Sequence, residues 1–358
     1  DLLNHRRAPW IHAAIGNAMS KKWLALALKF LVSGFLIWFL LSKLDLDEAL
    51  TRLTQIEPIM LAGALGVILF QIMVGGLRWW AVQRAIDASL GVFKSIRFFY
   101  IGVFFSQVLP STVGGDAVRV YKTYREGIPL GNAVNGVVLE RVVTVVTLVL
   151  VVVATQPWFL DRVDEATRAV ILPGLGLVVV GAVAGMAFLM MLDRLPESLM
   201  RWRLVRGLGN LGGDARRLFL SLGRLWRAFG LGVLTHINMS LCVYLLAMGL
   251  DLDVTWLDCL ALVPLVLLIM TIPISIGGWG VRETAMVSLF GLVGVPAEGA
   301  LVMSVVFGLV GIAAAIPGGL IWLASRDRGE TLDPPPDPDE VNGAGRAPAP
   351  VSGDGVNG

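Results

Sequence analysis

The chain has 358 residues, of which 56% are hydrophobic and only 16% charged, and its mean hydropathy is +0.75. Soluble domains carry roughly 25% charged residues, so this balance excludes a soluble globular protein and points to an all-α polytopic membrane protein with no nucleic-acid partner. The net charge of +2 is uninformative, because the placement of Lys and Arg sets membrane orientation, not their sum.

Residues 1–18 are polar and irregular and are expected to be a disordered extension, with Met19 as the natural start ahead of Ser20, Lys21 and Lys22. The apolar run 23–41 is longer than a signal-peptide core of about 7–15 residues and has no small-residue cleavage site after it, so it reads as a retained first span. A second span covers 58–80 and ends in Leu77, Arg78, Trp79 and Trp80, the pattern of an interfacial anchor. The run 96–109 rises only about 20 Å as a helix, too short to cross, and stops at Pro110. A short segment at 117–124 follows, then a full span at 133–155 carrying Glu140 and Arg141.

A further span at 169–192 leads into an Arg-rich connector with Arg194, Arg201, Arg203, Arg206, Arg216, Arg217, Arg224 and Arg227, expected to be an amphipathic face near anionic headgroups. The next span is 229–250, and the segment 256–271 runs into a stretch of proline, glycines and charges at 272–283. Residues 284–293 are apolar again, and the last span is 300–324. From 326 to 358 the composition shifts to Pro, Gly, Asp and Glu, which cannot bury enough apolar surface to fold, so a disordered tail is expected. Cys242 and Cys259 lie in apolar segments with no CxxC or Cys/His cluster, so buried packing is expected, with no disulfide, metal or cofactor site. His236 lies near Asn238 within a span, a setting for an interhelical hydrogen bond.

Two stretches align without a gap. Leu109-Pro-Ser-Thr-Val-Gly-Gly-Asp-Ala-Val-Arg119 and Ile272-Pro-Ile-Ser-Ile-Gly-Gly-Trp-Gly-Val-Arg282 share Pro, both Gly, Val and Arg, and four other positions are close substitutions. With a cytoplasmic N-terminus, Lys21, Lys22, Arg84, Lys94, Arg97, Lys122, Arg125, the Arg-rich connector, Arg326 and Arg328 all fall inside. The opposite loops, 42–57, 156–168, 251–255 and 294–298, are poor in Lys and Arg, as the positive-inside rule demands. This works only if both motifs are re-entrant. The expected architecture is therefore six full spans plus two re-entrant helix pairs, an inverted-topology repeat with halves at 20–156 and 169–325 and both termini cytoplasmic. Transporters of this kind commonly bind substrate near the midplane, between broken helices.

Pro110 and Pro273 end the incoming helices, and Gly114, Gly115, Gly277 and Gly278 permit a tight reversal. Returning helices starting near Gly115 and Gly278 would aim free N–H groups at an anion, with Arg119 and Arg282 about one turn in, placed to clamp a phosphate. Asp116, Glu140 and Glu283 formally balance Arg119, Arg141 and Arg282. Adjacent helical residues do not face each other, so Glu283 for Arg282 and Glu140 for Arg141 are poor partners, and partners from other helices are expected. The same charges also suit ion pairs that hold the two halves together, and both readings stay open.

At 109–119, Glu140-Arg141 and 273–283, the sequence resembles the transmembrane domain of lysylphosphatidylglycerol synthase, also called the flippase-like domain, over roughly residues 20–325. The resemblance implies movement of aminoacylated phospholipid between leaflets of the cytoplasmic membrane, or a place beside enzymes of lipid metabolism. The soluble aminoacyl-transferase domain of the full synthase has no counterpart in this sequence, so the expectation is lipid translocation and not lipid synthesis. Two alternatives remain: a non-transporting, lipid-binding scaffold for a separate lipid-modifying enzyme, and an integral-membrane enzyme using the same carboxylates. The enzyme reading lacks a nucleophile, metal cluster or cofactor motif, and no nucleotide-binding motif is present to couple ATP.

Overall fold

The structure, a computed structural model, describes residues 46–325 except 89, 110–113, 197, 199–200 and 273–277, together with Leu31, Gly34, Phe35, Trp38, Phe39 and Ser42. The expected extension at 1–18, most of the first span at 23–41, the tail at 326–358, both motif prolines and Gly277 therefore lie outside the described residues.

The described residues form eleven α-helices and no strand. They are α1 (Leu46–Thr54), α2 (Pro58–Ala85), α3 (Val92–Val108), α4 (Gly114–Arg125), α5 (Leu130–Leu160), α6 (Glu165–Met191), α7 (Arg203–Phe219), α8 (Leu222–Gly249), α9 (Trp256–Met270), α10 (Val281–Gly291) and α11 (Ala297–Ala324). A single 3-10 turn, Leu192–Arg194, continues α6. The chain divides into two compact units, residues 1–321 and 322–358, and only the last turn of α11 and Ser325 of the second are described.

Local chemistry accounts for the helix ends. Pro58 opens α2 at a position where a missing N–H costs nothing. Asp164 caps α6 by accepting from the Thr167 N–H, and at α9 the Thr255 side chain and the Asp258 carboxylate cap each other's backbone N–H. α3 stops at Leu109, whose extended backbone (φ −85°, ψ 136°) is what a residue preceding proline adopts.

Among the described residues five helices are long and apolar enough to cross a membrane: α2, α5, α6 with its 3-10 turn, α8 and α11. They correspond to the spans expected at 58–80, 133–155, 169–192, 229–250 and 300–324, most of them extended by several residues. By contrast α3, α4, α9 and α10 have 17, 12, 15 and 11 residues, rising about 26, 18, 22 and 16 Å against a hydrocarbon core of about 30 Å. α3 packs on α4 and α9 on α10, so each motif sits at the bend of a short helical hairpin.

The most extensive helix pair among the described residues is α2 with α8. α2 also packs on α3, α8 on α9 and α4 on α5, and Gly308 of α11 lies against the Arg282 guanidinium of α10. α5 packs on α9, and Gly318 and Gly319 of α11 lie against the Tyr100 carbonyl and the Phe104 side chain of α3. At both glycines a Cβ would collide, so small residues set these approaches.

One apolar core joins α2, α8, α9, α10 and α11 through Ile68, Ile72, Leu246, Leu262, Met286 and Met303. A second lies where α7 lays Leu211, Ala215 and Leu218 on Val82, Ile86, Leu139 and Val143. The Arg-rich connector thus contains an amphipathic helix with its apolar face on the bundle. α6 has no fully buried residue: Ile171, Leu189 and Met190 pack against the cores, while Val170, Leu177, Val180 and Phe188 are exposed.

Candidate functional site

Each motif arginine is the centre of a charge cluster, and among the described residues the two clusters share no residue and no hydrogen bond. Around Arg119 the cluster is assembled from α2, α4, α5 and α8. Glu140 on α5 is 2% exposed, and Arg78 on α2 and Arg119 on α4 are each 4% exposed. Oε1 of Glu140 accepts from Arg78 Nε at 3.1 Å and Nη2 at 2.5 Å, while its Oε2 accepts from Arg119 Nη1 and Nη2, both at 3.3 Å. Arg78 Nη1 also donates to Thr235 Oγ1 of α8 at 2.7 Å.

The outer part of this cluster is Asp116, one helical turn before Arg119. Its Oδ1 accepts from Arg119 Nη2 at 2.5 Å, and its two oxygens accept from Arg141 Nη2 and Nε at 3.1 and 3.0 Å. Arg141 is the wet member, with 55% of its side chain exposed. The Arg119 guanidinium lies between two rings, 5.1 Å from the Trp79 centroid and 4.9 Å from that of Phe99, where cation–π attraction adds to the ion pairs. Three guanidiniums therefore share two carboxylates, leaving an excess of one positive charge.

The Arg282 cluster is smaller and closed on itself. Glu283 Oε1 accepts from Arg282 Nε at 3.1 Å and Nη2 at 2.6 Å, and Glu283 Oε2 accepts from the Gly280 N–H at 2.6 Å. Ser304 of α11 accepts from Arg282 Nε at 3.2 Å and donates to Glu283 Oε1 at 3.3 Å. Trp279 and Phe307 flank the guanidinium at 4.6 and 5.9 Å. Both motif arginines are thus held by a carboxylate and by two aromatic rings.

Four expectations from sequence need correction. Arg282 does pair with its neighbour Glu283. The rule against adjacent partners applies inside a helix, whereas these residues are in the first turn of α10, where Glu283 folds back to cap Gly280 and the guanidinium bends onto it. The rule holds for the other neighbours: Glu140 turns to Arg78 and Arg119, and Arg141 to Asp116.

Arg78, which reads as an interfacial anchor, is a buried partner of Glu140. The signal was that the helical pattern continues through Ala81, Val82 and Ala85, placing Arg78 about two turns inside α2 and not at its end. The glycines also differ in role. Gly278 and Gly280 have φ of +81° and +86° and make the bend before α10, so that helix begins at Val281, three residues later than expected. Gly114 and Gly115 are not among the positive-φ glycines; they begin α4, and Gly115 packs against the Gly102 carbonyl and Ser106 Oγ of α3. Their smallness serves close approach and not reversal.

The remaining polar groups tie helices together. His236 Nε2 lies 3.2 Å from the Thr144 carbonyl and 3.3 Å from Thr147 Oγ1 of α5; a carbonyl only accepts, so the Nε2 proton points there. Asn238 Nδ2 donates to Gln71 Oε1 at 3.0 Å, and Arg162 Nη1 donates to both Asp258 oxygens at 2.9 and 3.0 Å. Cys242 and Cys259 are free and buried.

A family model described as Lysylphosphatidylglycerol synthase TM region matches residues 26–318, a stretch that contains both charge clusters. No curated protein matches the chain.

Proposed function

The chain belongs to the lysylphosphatidylglycerol synthase TM region family, and we propose that it binds a lipid with an anionic, phosphate-bearing headgroup and moves it across the cytoplasmic membrane. The observation that carries this reading is the excess positive charge of the Arg78, Arg119, Arg141, Asp116 and Glu140 cluster inside an apolar helical bundle. Charge at such depth is costly and is commonly retained for a ligand or pathway. An arriving phosphate would compete with Asp116 for Arg119 and Arg141, because Arg141 is half in solvent and Asp116 bridges the two. Glu140 would meanwhile keep Arg78 and Arg119 in place.

In this reading the two hairpins enter the membrane from opposite faces as an inverted repeat, with both termini cytoplasmic. Exchanging the α2–α3–α4–α5 packing for its α8–α9–α10–α11 equivalent would alternate access. The proposal assigns no catalytic step and no cofactor to the chain. Its test is reconstitution into vesicles with a labelled anionic phospholipid and a leaflet-accessibility assay. Replacing both Arg119 and Arg282 by Ala should reduce translocation to the protein-free rate; an unchanged rate from folded double mutant would refute the proposed role of these arginines.

A second reading is favoured by the Arg282 cluster, where guanidinium, carboxylate and Ser304 hydroxyl satisfy one another in a fully buried setting. This is what a permanent strut needs. A non-transporting scaffold that binds lipid for a separate lipid-modifying enzyme would retain headgroup binding in the same vesicles without moving label between leaflets.

A further inference from the structure

A cleft of about 340 Å³ opens between the last turns of α2 and the start of α8, lined by Trp80, Arg84, Asp87, Gly223, Arg224 and Arg227 among others. It lies on residues separate from both motif clusters. Three arginines and one aspartate line it, and among the described residues none of the four forms an ion pair: Arg84 lies 5.3 Å over the Trp80 ring, and Arg224 Nη1 donates to the Ala85 carbonyl at 2.7 Å. Elsewhere Arg52, Arg141, Arg162, Arg216 and Arg217 all have carboxylate partners. The cleft thus carries two positive charges in excess.

Two backbone features complete it. Ser221 precedes α8 without a side-chain cap, so the first-turn N–H groups of a 28-residue helix are not covered by a capping side chain. Gly223 lines the cleft with open space where a Cβ would stand, so a ligand can reach that backbone. The rim supplies the context: Leu222 and Trp226 on the first turns of α8 are 80% and 76% exposed, an apolar and aromatic edge of the type that sits at headgroup level. Binding clefts run from about 300 to 1,000 Å³, so this one suits a headgroup and not a whole lipid.

We infer that this cleft is a second anion site, which takes a phosphate group at the membrane–water interface, and that the phosphate belongs to a phospholipid headgroup. Arg84 and Arg227 supply charge, Arg224 fixes the cleft by holding α2 to α8, and Gly223 admits the phosphate to the helix start.

The test uses the full chain in nanodiscs of phosphatidylcholine containing a minor fraction of phosphatidylglycerol, with retained phosphatidylglycerol read by native mass spectrometry. The double substitution Arg84→Gln and Arg227→Gln should weaken its retention on the order of tenfold. Arg52→Gln with Arg97→Gln removes the same charge from positions outside the cleft and the connector and should leave retention as in the parent. Gly223→Leu, which fills open space, gives an independent block and should also weaken it. Equal loss in both double variants, or loss in none, overturns the site. Inorganic phosphate provides the second arm: no displacement of the lipid at millimolar concentration is expected, and displacement would overturn the lipid assignment in favour of a soluble phosphate. Because the Arg119→Ala and Arg282→Ala protein retains this cleft, its failure to translocate would leave the interfacial binding intact.

Discussion

Replacing Glu140 by glutamine perturbs the buried network at the point where two helices depend on one carboxylate. Oε1 answers Arg78 and Oε2 answers Arg119, and neither arginine reaches solvent appreciably. Without that charge, among the described residues Arg78 keeps Thr235 but no carboxylate, and Arg119 keeps Asp116 as its one carboxylate beside its two rings. Breaking a buried pair from one side costs about 3–5 kcal/mol, because the other charge stays desolvated. Glutamine keeps one accepting oxygen and the shape, so about 3 kcal/mol is expected, a large share of a stability of roughly 5–15 kcal/mol. With about 2–4 °C per kcal/mol for domains of this order of size, the apparent Tm should fall by about 6–12 °C. The assay is the fraction of monodisperse detergent-solubilised protein after heating, followed by size-exclusion chromatography. Arg78→Gln added to Glu140→Gln should cost much less than the two single changes together, since the second change removes the charge that the first left unpaired. An unchanged Tm for Glu140→Gln, or strict additivity in the double variant, would refute the network as a stabilising unit.

Two further outcomes follow from the geometry. Gly115→Ala would put a methyl group against the Gly102 carbonyl and Ser106 Oγ, so α3 and α4 must separate; a loss of about 1–3 kcal/mol is expected, measured by the same melting assay, and a silent substitution would show that the hairpin is not packed as described. Cys242 and Cys259 are both 0% exposed, so a membrane-impermeant maleimide should label neither, which leaves the native chain as a silent background for a single cysteine at position 127. In intact cells that cysteine should resist external label until the membrane is permeabilised, and labelling from outside would break the proposed inverted arrangement.

Much of the architecture was legible in the sequence because the bilayer makes hydropathy and length decisive. A run such as 300–324 has to become a helix, and a stretch like 96–109 followed by Pro110 has to stop short, whatever surrounds them. The repeat of Pro, Gly-Gly and Arg likewise located two hairpins, and Arg119, Asp116 and Glu140 were singled out before their meeting was visible. What the sequence concealed was which charge answers which. Arg78 is 62 residues from Glu140, and no local pattern ties them. Arg282 and Glu283 were separated on a rule for helix interiors that the start of α10 at Val281 does not meet.

The sequence by itself determined the membrane class, the approximate positions of the helices, and the family, since each rests on local composition or on motifs read along the chain. Only the tertiary structure decided that Glu140 serves two arginines, that Gly115 is a packing contact while Gly280 is a bend, and that Arg84, Arg224 and Arg227 share a cleft. A buried charge takes whichever opposite charge folding brings within about 3 Å, and that distance is set by how helices far apart in the chain pack.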